Sequence, residues 1–103
     1  MKAYITKIEY VLPKNKIDNP KNRLTKKTGI YSRHICSNNE VASDLAFAAA
    51  EKIFNLGVDR TKINFLILCT QSPDYYLPTT ACILQDLSLI HIFIACLKIP
   101  NSF

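Results

Sequence analysis

An α/β layer fold is predicted for this chain of 103 residues, and three observations carry the prediction. Residues 63–69, INFLILC, form a nearly unbroken apolar run of strand length, the pattern of an interior strand with both faces covered by helices. Ahead of it, apolar residues recur at Ala42, Leu45, Ala46, Ala49, Ile53 and Leu56, a helical stripe that Gly57 ends. Behind it, residues 70–78 hold two prolines and several polar or aromatic side chains, so the chain leaves the sheet at the strand's carboxyl end. That is where open α/β folds place ligands.

In chain order, residues 3–12 alternate, with Tyr4, Thr6, Ile8 and Tyr10 on one face, in a β-rich composition that Pro13 ends. They predict a first strand. Residues 14–27 are polar and include Asn19-Pro20, which predicts a loop with at most a short helix. Thr28-Gly29-Ile30 reads as a turn in which Gly29 supplies a backbone angle that other residues resist. Ser37, Asn38, Asn39 and Glu40 have capping-box spacing and predict the start of the long helix, whose alanines suit close approach to a sheet. After the central strand and the proline loop, Thr79 or Thr80 is placed to cap a further helix. The order strand, helix, strand, helix is that of an α/β layer fold.

Composition narrows the functional classes. The chain suffices for one small domain, and 49% hydrophobic with 20% charged residues is ordinary globular composition. The net charge of +5 is concentrated in Lys14, Lys16, Lys21, Arg23, Lys26, Lys27 and Arg33, a segment whose sole acid is Asp18. Such a field attracts polyanions, including the phosphates of a nucleotide-bearing cofactor, or else marks a solvated loop. Cys36, Cys69, Cys82 and Cys96 are far apart, with no CxxC pair and no histidine at zinc-finger spacing, so no metal site is expected. Cys69 at a strand end and Cys82 within a helix read as small buried hydrophobes. Lys7 and Glu9 interrupt the first apolar residues before a signal sequence develops, which makes a cytoplasmic location with reduced thiols the expectation. Residues 89–97 are apolar but far short of the roughly 20 residues a membrane helix needs, so no membrane partner is expected.

Four stretches in order, AYITKIEYVLP, TGIYSRHI, EVASDLAFAAAEKIF and CTQSPDYYLPTTACILQ, resemble the ketoacyl-ACP synthase III family of thiolase-like condensing enzymes. The resemblance covers residues 1–86 and implies the incomplete N-terminal half of a thiolase-like layered fold, a mixed sheet with packed helices. It also implies that the full-length family condenses an acyl-CoA primer with malonyl-ACP, as a homodimer and without a metal or other cofactor, in fatty-acid or polyketide synthesis. Another thiolase-like condensing enzyme is the neighbouring alternative. A small basic nucleic-acid-binding module is the rival from another class, and Tyr31 is the lone aromatic residue among its basic side chains.

The resemblance assigns two residues. The basic residue before the TG turn, which helps to hold coenzyme A in the family, is Lys27 by position; otherwise it is a solvent-facing lysine. The residue before the loop proline, which reaches across the family's homodimer into the partner's acyl pocket, is Leu77; otherwise it is a loop leucine covering the core. The family's longer helical insert, with an aromatic residue that stacks on adenine, is shortened here, and Arg23 falls at about that place. His34 is not the family's catalytic histidine. The nucleophilic cysteine is expected one strand beyond the helix after Thr79, where a thiolate would take up the acyl group. No residue of this chain is assigned a catalytic role, since Cys96 lacks the glycine-containing turn that exposes such a nucleophile.

The likeness breaks after Asp86. LSLIHI at residues 87–92 is also what CTG TCT CTT ATA CAC ATC encodes, and those bases coincide with a transposon end used in preparing sequencing libraries. Residues 87–103 are therefore expected to be a non-family tail, an artefact of library joining or else an insertion or frameshift. The chain itself is expected to be inactive.

Overall fold

The structure is a computed structural model that describes residues 1–89 and 93–98, the last six by their backbone. Its organising element is a parallel βαβ unit. Strand β3 (Phe65–Thr70) leads through helix α3 (Thr80–Ser88) to strand β4 (Phe93–Lys98), and the two strands pair in parallel with Phe65 opposite Phe93 and Thr70 opposite Lys98. Ahead of it come β1 (Asn15–Asp18), α1 (Arg23–Thr28), β2 (Ser32–Ile35) and α2 (Ala42–Asn55). β1 and β2 make a separate antiparallel pair, with Asn15 opposite Ile35.

The core forms around α3. Thr80, Ala81, Leu84 and Ser88 are buried along one helical stripe, as the spacing of i, i+4 and i+8 requires. This helix packs against both β3 and β4 and also meets α2. The alanine-rich face of α2 thus lies mainly against a helix rather than against the sheet that the sequence suggested. Small side chains allow either approach, and α3 occupies the nearer layer.

Local chemistry explains where the elements start and stop. Asn22 precedes α1, and its side chain accepts the Thr25 backbone N–H at 2.9 Å. The Thr25 hydroxyl donates to the Pro20 carbonyl at 2.6 Å, so this buried polar side chain is satisfied. Gly29 ends the helix in the left-handed region at φ +71°, the role its position in the turn predicted. The expected short helix within residues 14–27 is α1, preceded there by a strand, β1, that the polar composition concealed.

Three element predictions are corrected. Residues 3–12 form no strand: alternation creates a face, but a strand exists by its ladder of hydrogen bonds to a neighbour, and none is made here. Tyr4, Ile5 and Ile8 remain exposed, and the segment is held near Tyr10, whose carbonyl accepts from Lys52 Nζ at 2.9 Å. Ser37 to Glu40 close a turn instead of a capping box, and α2 begins after Val41, whose N–H is accepted by the Asp44 carboxylate at 3.0 Å. The central strand starts at Phe65, because Arg60–Lys62 form a 3₁₀ turn first. Its faces are unequal: Leu66 and Leu68 are half-buried, while Phe65, Ile67 and Cys69 are exposed, so it is not covered on both sides.

Candidate functional site

The loop between β3 and α3 is fastened at both ends. At its start the Thr70 hydroxyl accepts the Ser72 N–H at 3.1 Å, and at its end Thr79 stands at the N-cap of α3. The cap works otherwise than predicted. The Thr79 hydroxyl donates to Cys82 Sγ at 3.1 Å, while its carbonyl accepts the N–H groups of Cys82 and Ile83. The buried Thr80 hydroxyl accepts the Asp74 N–H at 3.2 Å.

Asp74 has a second attachment, since its carboxylate accepts the Ser43 N–H at 3.2 Å in the first turn of α2. Between these fixed points the loop presents Tyr75, Tyr76 and Leu77 to solvent, with Tyr76 87% and Leu77 83% exposed. Leu77 does not cover the core formed by the described residues. Leu77 and Pro78 are joined by a cis peptide bond.

Lys27 lies in the last turn of α1, exposed, one residue before the Thr28-Gly29 turn. All the basic residues of its cluster are exposed. A cleft of about 350 Å³ opens beside α1, lined by Asn19, Leu24, Thr28, Ile30 and Arg33 among others. Lys27 is not among its lining residues, and Arg33 is committed to a hydrogen bond with the Asn19 side chain. The main packing sorts the elements into two groups, β1 with β2 and α2 with α3, β3 and β4. Lys27 stands on α1, between β1 and β2 in chain order, and Leu77 in the loop between β3 and α3.

The remaining candidates are structural in character. His34 Nδ1 lies 2.7 Å from the Pro13 carbonyl, which can only accept, so that nitrogen carries the proton and ties β2 to the segment before β1. Cys82 is half-buried within α3 as read, whereas Cys69 is exposed, because it falls on the open face of β3. Cys96 lies where the structure describes the backbone alone. Among the described residues no group of three His, Cys, Asp or Glu could hold a metal ion, and no helix is long and apolar enough to cross a membrane. Asp74 escaped sequence reasoning. Its signal was there in Pro73-Asp74, a turn-forming pair just before an apolar tip.

Comparison with known proteins supplies the context for this geometry. No family model matches the chain. Among curated proteins, β-ketoacyl-[acyl-carrier-protein] synthase III of Ehrlichia canis is 36% identical over 95 residues, covering 82% of this chain and 30% of that protein. The enzyme of the same name from Neisseria meningitidis is 41% identical over 72 residues, covering 69% of this chain and 22% of its own length. A crystal structure of 3-oxoacyl-(acyl-carrier-protein) synthase III superposes with a TM-score of 0.74 and 38% identity, over 88% of this chain and 32% of that one. The Thermus thermophilus synthase III structure gives a TM-score of 0.78 at 22% identity, which speaks to fold alone, over 89% of this chain and 32% of its own.

The fold is thus that of a thiolase-like condensing enzyme, present as a small mixed α/β fragment with a partial sheet. More narrowly, the chain resembles a fragment of β-ketoacyl-ACP synthase III, an acyltransferase family. It spans about a third or less of the length of the relatives it matches. The structural overlap takes in more of the chain than residues 1–86 alone provide.

Proposed function

We propose that this chain is part of a β-ketoacyl-ACP synthase III whose complete form condenses an acyl-CoA primer with malonyl-ACP. The observation that carries this is the joint agreement in sequence and backbone, at 38% identity and a TM-score of 0.74 over 88% of the chain. In that reaction a cysteine thiolate attacks the acyl-CoA thioester, and the acyl group moves to sulfur as coenzyme A leaves. Malonyl-ACP then loses carbon dioxide, with His and Asn stabilising the enolate oxygen, and the resulting carbanion attacks the acyl-enzyme carbonyl, so that the acyl–sulfur bond breaks, the cysteine leaves as its thiolate and the 3-oxoacyl chain remains on ACP. The cysteine, His and Asn of that mechanism are not assigned to any residue of this chain, and residues 1–103 are expected to be inactive alone.

Within the complete enzyme Lys27 would place its ammonium beside coenzyme A phosphates, a role consistent with its exposure within a positive segment. Leu77 would enter the acyl pocket of a second subunit, and its exposure on a loop tip fastened at both ends supports that reading. The complete enzyme is a cytoplasmic homodimer in this proposal. The nucleic-acid alternative gains no support from the relatives named above.

The test is to sequence the encoding locus from the Cys69 codon onward. An open frame continuing past Asp86 to a glycine-flanked cysteine, then His and Asn, is the expected result, and it would identify residues 87–103 as foreign to the enzyme. The same tail in independent genomic templates, with a stop after Phe103, would overturn the catalytic reading for this chain. Titration of the 103-residue protein with coenzyme A tests Lys27 separately, because Lys27→Ala is expected to weaken binding where Lys62→Ala does not.

A further inference from the structure

We infer that Asp74 is a positioning residue, which sets the exposed Tyr75-Tyr76-Leu77 tip by fastening the β3–α3 loop to the N-termini of two helices at once. The inference rests on the proposed function for what the tip does. The fastening itself stands on geometry. A carboxylate borrowed from a distant loop accepts the Ser43 N–H at 3.2 Å, satisfying one of the donors that the first turn of α2 leaves open. Ser43 is buried, so losing this acceptor would leave its N–H without water as a ready substitute.

The backbone N–H of the same residue donates to the Thr80 hydroxyl at 3.2 Å, in the first turn of α3. Thr80 is fully buried, and its hydroxyl oxygen is fixed by the packing of α3. Asp74 is therefore held from two sides by two elements that pack on each other. The residue that follows it is the first of the exposed tip. A shift in the relation of α2 to α3 must move the tip, and slackness at Asp74 would blur where Leu77 sits. Val41, at the N-cap of α2, offers no side-chain acceptor of its own, which is why an acceptor from another element matters there.

Hydrogen exchange read by mass spectrometry on the dilute 103-residue protein tests this, with peptides spanning residues 41–48 and 71–79 and a control peptide spanning 55–63. Asp74→Ala is expected to speed exchange in the first two peptides on the order of fivefold, the scale of a lost helix cap, and to leave the control unchanged. Asp74→Asn keeps the acceptor oxygen and is expected to restore protection at 41–48. Thr80→Val removes the second attachment without changing the shape, and is expected to loosen 71–79 while leaving the Ser43 contact protected. If Asp74→Ala unfolds the chain, the Asn and Val variants decide the matter.

Unchanged exchange in folded Asp74→Ala, or no difference between the Asn and Ala variants, would overturn the inference. So would equal loosening of all three peptides in Thr80→Val. None of these readouts needs catalysis or coenzyme A, so the fastening can fail while the proposed function stands, and the reverse.

Discussion

The guanidinium of Arg60 lies over the ring of Phe54, 4.4 Å from its centroid. The same group donates to Glu51 Oε1 at 2.6 Å and to the Ser88 carbonyl at 3.2 Å, so one side chain joins the end of α2, the 3₁₀ turn and the last turn of α3. Its planar fork allows all three contacts, which a lysine could not reproduce. Both members of the ion pair are 32% exposed, which keeps the charge pair itself modest; the value lies in the combination. Arg60→Ala is expected to cost roughly 1–3 kcal/mol, and Arg60→Lys to recover little of it. An unchanged urea midpoint in Arg60→Ala would show that the junction contributes nothing.

Asp59 gives the stability a pH dependence of known sign. Its carboxylate accepts the Thr61 hydroxyl at 2.7 Å and the Thr61 N–H at 2.9 Å. The side-chain bond acts most and the backbone bond next, and together they hold its pKa below the ordinary aspartate value against a small opposing desolvation. The unfolded chain therefore binds the proton more readily than the folded one, and folding is favoured as pH rises. The contribution is complete above the ordinary aspartate value of about 3.9 and is lost as pH falls through the lowered folded value. Asp59→Asn keeps an acceptor but does not titrate. The difference in urea midpoint between the native chain and this variant is expected to hold constant from about pH 6 down to near the ordinary aspartate value and to shrink on further acidification, and a difference independent of pH throughout would contradict the assignment.

How much of this was legible in the sequence depended on whether the signal was local. The stripe from Ala42 to Leu56, the run ending at Cys69 and the turn at Gly29 each specify their element within a few residues, and each element is present. Residues 3–12 carry an equally clear alternation, yet a strand is a property of two segments and the second is not supplied. The pairing of Asn15–Asp18 with Ser32–Ile35 shows the converse, for polar residues there pair across an intervening helix that no short-range pattern announces. The exposure of Cys69 and of Leu77 was likewise undetermined, because burial depends on what packs above a residue. Asp74 combines both difficulties, since its partner Ser43 is 31 residues away.

Gly29 offers a test of backbone conformation without a packing change. Its φ of +71° is disfavoured for any side chain bearing a Cβ, while a Cβ built there would meet nothing within 4 Å. The whole effect of Gly29→Ala is therefore conformational, about 1 kcal/mol against α1 and the bond from the Gly29 N–H to the Thr25 carbonyl. Gly29→Asn should cost less, because Asn tolerates the left-handed region. Exchange rates in peptides covering residues 22–30 would follow the order Ala, Asn, Gly from fastest to slowest. Equal rates for Ala and Gly would mean that α1 does not depend on this cap.

The open face of β3 leads to a prediction about assembly. Phe65 and Ile67 are 55% and 60% exposed on one side of a two-stranded sheet. A strand with an apolar face in water and a narrow sheet behind it gains free energy by covering that face, and its ladder groups can template a further strand. The chain is therefore expected to self-associate, with a sedimentation coefficient that rises with concentration and with binding of an apolar dye. Replacing Phe65 by Thr and Ile67 by Lys keeps strand-forming residues at one position and places a charge at the other. That double variant should sediment as a smaller species with little dye binding, while the α2–α3 contact is retained. A monodisperse monomer that melts cooperatively, obtained from the native sequence, would show instead that the exposed face is too small to drive association and that the βαβ unit stands alone in solution.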